Sequence, residues 1–344
     1  MNKNKKCLIH FHQHSRRTGV TSSVENILPG LGDFYSVHWY GNKLDTAIPR
    51  LNIIGLVHLL RKNNRHDIES IIHVHRNNEL IRALLLRLFG VRFYLVATRH
   101  SSTPPSWLTR ILLLKADKVI VLNQMAKDYF SYPVEIVPHG LNVTAFPINR
   151  QVSDSVGIPN KKLIGIVGRV REPKGQMDLV SATVKLMKLF PDWNVVVLGQ
   201  AKSEDSHYLD SMKDIIQAND LDGSYHFVGE VADPRPYYNV FQIVVVASYT
   251  EGSSMVPLEA MASGCAVVAT RDVGTNSMLI DDNVNGYLFE KGDINSLEKK
   301  LQNLMEDEDL LNKMQTASRK EIETKWTVET EIQHLRSIYD SLPG

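Results

Sequence analysis

Short, uniformly apolar runs recur along this chain: Leu163–Val167, Trp193–Leu198 (WNVVVL), Ile243–Ala247 (IVVVA) and Cys265–Ala269 (CAVVA). They are too short for helices and too continuously apolar for strands with one face in water. Runs of that kind belong to parallel strands covered on both sides. The segments between them, such as Met177–Leu189, Ser206–Asn219 and Asp233–Phe241, carry helical spacing. Strand and helix in alternation predict a doubly wound α/β sheet. With Tyr225–Val228, a short Tyr287–Phe289 and closing helices at Ile294–Met305 and Leu310–Trp326, the second half of the chain makes one such sheet.

The first half makes another. Strands are expected at Lys6–Phe11, Tyr35–Tyr40, Ser70–His75, Val91–Ala97, Lys118–Leu122 and Val134–Pro138, with helices at Ile48–Lys62, Asn78–Phe89 and Trp107–Leu114. Pro147, Gly157 and Pro159 punctuate a polar stretch over Ile148–Lys162, where the pattern breaks and restarts. The expected domains are therefore 1–150 and 151–325, and 326–344 supplies a last helix, Val328–Ser341, packing back toward the first domain. Two Rossmann-like domains in tandem are expected to face an interdomain cleft, with ligands at the carboxyl ends of the strands.

At 344 residues the chain is too long for one core and suits two α/β domains. No run reaches the roughly 18–20 apolar residues of a membrane span. The basic Met1–Lys6 and the short Cys7–Phe11 do not make a signal peptide, so a cytoplasmic protein is expected, with Cys7 and Cys265 as reduced buried thiols. The net charge of +1 hides an asymmetry: residues 1–150 hold 20 Lys and Arg against 9 acids, whereas 151–344 hold 19 against 29. A basic half beside an acidic one points to an anionic partner for the first half. No nucleic-acid recognition module accompanies it, so nucleic acid is not expected. Neither domain offers the G-x-G-x-x-G and downstream acid of a nicotinamide dehydrogenase.

The chemistry concentrates in Ser248–Thr270 (SYTEGSSMVPLEAMASGCAVVAT). Glu251 and Glu259 flank a polar loop, and Glu259 falls in the first turn of a short helix begun by Pro257 and stopped by Gly264. Free amides there suit phosphate, and carboxylates suit vicinal hydroxyls, which together describe a nucleotide sugar. Gly168-Arg169 and Lys174-Gly175 follow the first strand of the same domain, where two cations can converge on a diphosphate. Gly19, with Thr21, Ser22 and Ser23, marks a loop-to-helix junction after the first strand. Ten of the thirteen histidines precede residue 150. His10, His12, His14, His73 and His75 are not expected to bind a metal, because no Cys or carboxylate joins them at ligand spacing. Glycosidase-like paired carboxylates are missing too.

Jointly, Gly168-Arg169, Lys174-Gly175, Gly229, the run Glu251–Gly264 and Asp281–Phe289 (with Asn285-Gly286-Tyr287-Leu288) resemble the retaining GT-B glycosyltransferases of family 4. The resemblance covers the second domain and is looser in the first, where Pro138-His139-Gly140-Leu141-Asn142 carries a histidine at a position commonly Asn. It implies a GT-B fold and a metal-independent hexosyltransferase without a cofactor. Arg169 and Lys174 would neutralise the donor diphosphate, Glu259 would hold the ribose, and Glu251 would lie by the donor sugar. Ser253, Ser254, Met255 and Val256 would offer amides, Gly199 and Val231 would lie by the base, and Gly19 would approach the phosphates. His100, ending the fourth strand, would meet the sugar's C6 hydroxyl. The catalytic set implied is His100, Glu251, Arg169 and Lys174. The usual mechanism is a front-face displacement in which the leaving phosphate takes the acceptor's proton.

The segments Arg16–Ser23 and Thr98–Ser101 resemble, more narrowly, a subgroup acting in lipopolysaccharide core assembly. That implies mannose from GDP-mannose, or another hexose from a UDP-hexose, moved to an anionic glycolipid or oligosaccharide at the inner face of the cytoplasmic membrane. Arg16, Arg17, Arg76, Arg82 and Arg99 are the candidates for acceptor or membrane contact in a peripherally attached protein. The alternatives are a GT-B transferase for another cell-surface polysaccharide and a non-catalytic nucleotide-sugar-binding module.

Overall fold

The computed structural model describes residues 5–14, 18–148, 156–158 and 161–343. Arg16 and Arg17, and most of the expected linker, lie outside them. The chain divides into two compact units: Met1–Gly140 with Thr327–Gly344, and Leu141–Trp326.

The first unit runs β1 (Cys7–His12), α1 (Gly19–Leu31), β2 (Ser36–Gly41), β3 (Arg50–Leu51), α2 (Ile53–Arg65), β4 (Ser70–Val74) and α3 (Asn77–Leu88). It continues with β5 (Tyr94–Arg99), α4 (Trp107–Leu113), β6 (Lys118–Val121), α5 (Gln124–Lys127) and β7 (Glu135–Ile136). Its strands are parallel in the order β3-β2-β1-β4-β5-β6-β7. One face packs Leu56 and Leu60 of α2, Leu80 and Ala83 of α3 and Leu113 of α4 over the sheet. The other packs Val24, Ile27 and Leu28 of α1 beside Ile332, Leu335 and Tyr339 of the last helix of the chain, Val328–Asp340. That helix is tied by Tyr35, whose hydroxyl donates to Asp340 at 2.8 Å, and by Glu331, which accepts from the Gly140 amide at 2.7 Å.

The second unit begins with β8 (Lys162–Val167), α6 (Gln176–Leu189), β9 (Trp193–Leu198), α7 (Ser206–Gln217), β10 (Tyr225–Gly229) and α8 (Arg235–Val240). There follow β11 (Ile243–Val246), α9 (Val256–Ala262), β12 (Ala266–Thr270), α10 (Asn276–Leu279), β13 (Tyr287–Phe289), α11 (Ile294–Glu306) and α12 (Glu308–Lys325); Val328–Asp340 is α13. Its parallel sheet has the order β10-β9-β8-β11-β12-β13. In each sheet the order reverses beside the first strand, at β1/β4 and at β8/β11. Connections leave on opposite faces there, and the strand ends open into a crevice.

Three local features differ from the expected pattern. Helix α2 starts at Ile53 rather than Ile48, because Arg50–Leu51 pairs with Trp39–Tyr40 as an edge strand and Asn52 caps the helix, accepting from the Gly55 amide at 2.7 Å. The strand expected at Val134–Pro138 shrinks to Glu135–Ile136, since Pro133 and Pro138 lack the amide a ladder needs. The short α5 is capped by Asn123, whose side chain accepts from the Ala126 amide at 2.8 Å. No helix among the described residues is long and apolar enough to cross a membrane.

Gly175 ties the second unit's fold to its polar end. Its φ is +69°, and a Cβ there would sit 2.0 Å from the Ala247 carbonyl oxygen beyond β11. Gly175→Ala should therefore lower unfolding free energy by about 2–4 kcal/mol through left-handed strain and overpacking. Urea unfolding of the full chain measures this.

Candidate active site

The carboxyl ends of β8, β9 and β10 are brought together by glycine. The Gly168 amide donates to the Leu198 carbonyl, and the Gly199 amide to that of Gly229, both at 2.8 Å. Gly168 and Gly199 adopt φ of +138° and +141°, and a Cβ on Gly199 would lie 2.0 Å from the Gly168 oxygen. Backbone thus replaces side chains along one wall of a cavity of about 660 Å³ whose lining includes Gly168, Arg169, Gly199, Glu230 and Val231. That volume suits a small ligand of nucleotide size.

Charged groups stand around the loop that follows β8. Lys174 forms an ion pair with Glu251, whose carboxylate also accepts from the Ser248 hydroxyl at 2.8 Å. Both partners are largely shielded, so the pair is more than a surface contact. Arg169 reaches Asp205 at 3.3 Å and Glu204 at 3.6 Å, and its buried Nε has no partner among the described residues. The two cations therefore answer to different acids: Lys174 to one across the β8/β11 switch point, Arg169 to a pair ahead of α7.

Glu259 lies in the first turn of α9 and accepts from the Tyr238 hydroxyl at 2.8 Å. Burial raises its pKa, against the lowering effect of that hydrogen bond. Tyr238 is fully buried between this acid and Phe241, so the carboxylate is aimed from below. The Ser253 hydroxyl is buried and has no partner among the described residues. Ser254, Met255 and Val256 lead into α9, with Met255 and Val256 packed against the core. Gly274, at φ +60°, lets its loop close on Glu251, where a Cβ would sit 3.1 Å from that of the acid. Sequence reasoning did not find Tyr238, Ser248, Asp205 or Glu204. Nothing in local spacing marks Tyr238, Asp205 or Glu204, which meet their partners through the fold, whereas Ser248 stands only three residues before Glu251.

In the first unit His100 follows β5 and is hydrogen-bonded through Nε2 to Nδ1 of His75, at 3.1 Å. His75 Nε2 meets His10 Nδ1 at 3.1 Å, and the His100 ring stacks on His139 with centroids 5.2 Å apart. His139 Nδ1 lies 2.8 Å from the Ser23 hydroxyl and 3.2 Å from Glu331. His73 is bracketed by Tyr339 and Thr98 hydroxyls, each at 2.6 Å. His12 is held by the Asn42 carbonyl at 2.9 Å and Thr21 at 3.1 Å. The ligand atoms of His10, His73 and His75 all lie within 4.8 Å of one another, a grouping that could hold a metal ion. Their ring nitrogens are mostly engaged already, leaving His10 Nε2 unpartnered.

Beside His100 opens a second cavity, of about 590 Å³, lined by Arg76, Arg99, His75, His100, Thr98 and Asn77 among others. Arg76 donates to the Thr18 hydroxyl at 3.3 Å and keeps a buried, unpartnered Nε. Arg99 is fixed by the carbonyls of Ser101 and Thr103. Arg82 stands on the exposed side of α3, bonded to Gln13. Gly19 begins α1 in the open, where a Cβ would meet nothing within 4 Å, so packing does not require a glycine there.

The two Rossmann-like units, each polar at the carboxyl ends of its strands, make up a GT-B architecture. Residues 149–321 match the family model described as glycosyl transferases group 1, and the chain belongs to that family. It is a glycosyltransferase. It is 28% identical, over 96% of its length and 94% of the relative's, to the lipopolysaccharide core biosynthesis mannosyltransferase LpcC of Rhizobium leguminosarum bv. viciae. The solved C-terminal domain of a group 1 glycosyl transferase (LpcC) from Francisella tularensis is 34% identical, covering 55% of this chain and 99% of that one, with a TM-score of 0.52. The fold also matches Anabaena Alr3699/HepE, solved in complex with UDP, at a TM-score of 0.80 and 20% identity, over 98% of this chain and 100% of that one.

Burial lowers the pKa of His10 to about 3 and holds those of His73, His75 and His100 well below the usual imidazole value. Neighbouring imidazoles add to the effect at His73, His75 and His100. The unfolded chain takes up these protons near pH 6.5 while the folded chain refuses them. Their stabilising contribution is complete above about pH 6.5 and shrinks as pH falls, for His10 by about 1.4 kcal/mol per pH unit down to its folded value. Unfolding free energy at pH 5 should thus fall below that at pH 7, by about 2 kcal/mol from His10 alone. His10→Gln should flatten the slope, and a pH-independent stability would contradict this account.

Proposed function

We propose that this glycosyltransferase moves a hexose, mannose in preference, from a nucleotide-diphosphate sugar to a lipopolysaccharide-core or other anionic glycolipid acceptor, with retention of configuration. The observation that carries the reading is Lys174, held by Glu251 at the β8/β11 switch point, with Arg169 in the same loop beside a glycine-walled cavity. A donor diphosphate needs two cations and close backbone, and a ribose needs a shielded carboxylate such as Glu259 on Tyr238. The Rhizobium relative, named as a core mannosyltransferase, spans nearly the whole chain and favours lipopolysaccharide over other surface polysaccharides. The structure matched with UDP leaves a UDP-hexose as the alternative to GDP-mannose.

In this proposal Arg169 and Lys174 take up negative charge as the diphosphate leaves, the logic of an oxyanion site. The leaving phosphate accepts the proton of the attacking hydroxyl, and Glu251 keeps Lys174 placed while facing the sugar. Ser253 to Val256 offer amides and the free Ser253 hydroxyl, Gly199 and Val231 border the base, and His100 contacts the transferred sugar. Gly19 leaves room for phosphate. No resident metal or cofactor is assigned. Arg76 and Arg99 share a cavity and are assigned to an anionic acceptor, with Arg82 and the undescribed Arg16 and Arg17 reserved for acceptor or membrane contact. The protein would work from the cytoplasmic side, peripherally on the inner membrane.

Incubation with UDP-, GDP- and ADP-hexoses and truncated core acceptors should add one sugar's mass to an acceptor; no donor consumed with any of them sinks the reading. Glu259→Ala should raise donor KM about 10- to 100-fold by removing charge-assisted hydrogen bonds, and Tyr238→Phe should raise it less. Lys174→Ala should instead cut kcat about 10²- to 10³-fold. Wild-type kinetics in these variants would remove the site assignment.

A further inference from the structure

The outer faces of α3 and α4 are apolar where solvent is expected. On α3, Ile81, Leu85 and Leu88 fall at i, i+4 and i+7, followed by Phe89; Leu88 is 80% exposed and Phe89 75%. On α4, Trp107, Leu108 and Ile111, followed by Leu114, are likewise exposed, Trp107 by 73%. The two helices touch and cover the same face of the sheet, so these side chains form one patch. Scattered exposed leucines are ordinary, but a contiguous patch on two neighbouring helices marks an interaction surface.

Its charge names the partner. From residue 76 to 116 there are seven Lys and Arg and a single acid, Glu79. That acid is buried, accepting from the Gln13 and His75 amides at 2.8 Å, and presents nothing to solvent. Arg82, Arg110 and Lys115 lie exposed on the same two helices or just after them. An apolar face with a cationic rim, whose neighbouring exposed acid, Asp117, is paired with Arg87 of α3, complements an anionic lipid bilayer, where the apolar side chains enter the acyl boundary and the cations meet headgroups. The cavity holding Arg76 and Arg99 is lined by residues at the amino ends of these same helices, including Asn77, Asn78 and Ser106.

We propose that the α3–α4 face seats this enzyme on an anionic membrane and brings the Arg76/Arg99 cavity to a lipid-borne acceptor. This deepens the reading above and rests on it for the acceptor, though the docking itself does not.

Trp107 supplies a reporter, because Trp39, Trp193 and Trp326 are buried at 5%, 1% and 7% exposure. Full-length protein is mixed with vesicles of phosphatidylethanolamine and phosphatidylglycerol, or of phosphatidylcholine alone. The expected result is co-sedimentation and a blue-shifted Trp107 emission with the anionic vesicles only. Leu88→Glu/Phe89→Glu should weaken that binding at least tenfold while leaving transfer to a soluble, truncated acceptor unchanged. Should that variant fail to match the wild-type melting temperature, Arg110→Glu/Lys115→Glu, which leaves the apolar face intact, is expected to weaken anionic binding in the same way. Unaltered vesicle binding in folded variants overturns the proposal, as does an emission shift that follows protein concentration without lipid, which identifies a second copy as the occupant. Absent transfer to soluble acceptors with intact vesicle binding would instead defeat the catalytic reading and leave the docking face standing.

Discussion

In the second unit, the polar end of the sheet depends on a close approach between the loop after β8 and the chain leaving β11. Gly175 fits against the Ala247 carbonyl because it lacks a side chain, and the Tyr249 amide donates to the Pro173 carbonyl at 2.9 Å. That contact brings Lys174 to Glu251 across 77 residues of sequence. Parallel strands offer no hairpin to make such a juxtaposition, so the meeting must occur at strand ends where the winding reverses. Glycines at the ends of β8, β9 and β10 extend the same device along the sheet, exposing backbone where side chains would fill the crevice.

The two units solve opposite electrostatic problems. The second places cations at the carboxyl ends of its strands and steadies each with an acid. Arg169 has Asp205 and Glu204, and Lys174 has Glu251. The first buries a row of imidazoles at the ends of β1, β4 and β5 and keeps them neutral by desolvation, each hydrogen-bonded through at least one ring nitrogen to a neighbouring ring or hydroxyl. A neutral, hydrogen-bonded row costs little to bury, whereas a charged one would not fold. The surplus of positive charge in this unit is therefore carried by arginine and lysine at its surface and in its Arg76/Arg99 cavity.

Much of this could be read from the residues. Apolar runs such as WNVVVL and IVVVA give parallel strands, and Glu259 with Pro257 and Gly264 gives a short helix opening on an acid. Boundaries were harder to read where proline or a cap decided them, as at Pro133, Pro138 and Asn52. Arg169 and Lys174 were legible as neighbours on one loop but not as cations turned toward separate acids, since Asp205 and Glu251 reach them only through folding. Tyr238 is a plain case: 21 residues before Glu259, on another helix, it carries no sign of being that acid's donor.

By itself, then, the sequence determined two parallel α/β units, a basic first half and an acid-bearing loop ahead of α9, because hydrophobic period, charge count and turn residues act locally. Tertiary structure alone decided which acid holds which cation, which tyrosine aims Glu259, and that the histidines interlock. It also decided that the apolar residues of α3 and α4 share one open face. Those facts follow from strand order and helix packing, which bring together groups that the chain keeps tens or hundreds of residues apart.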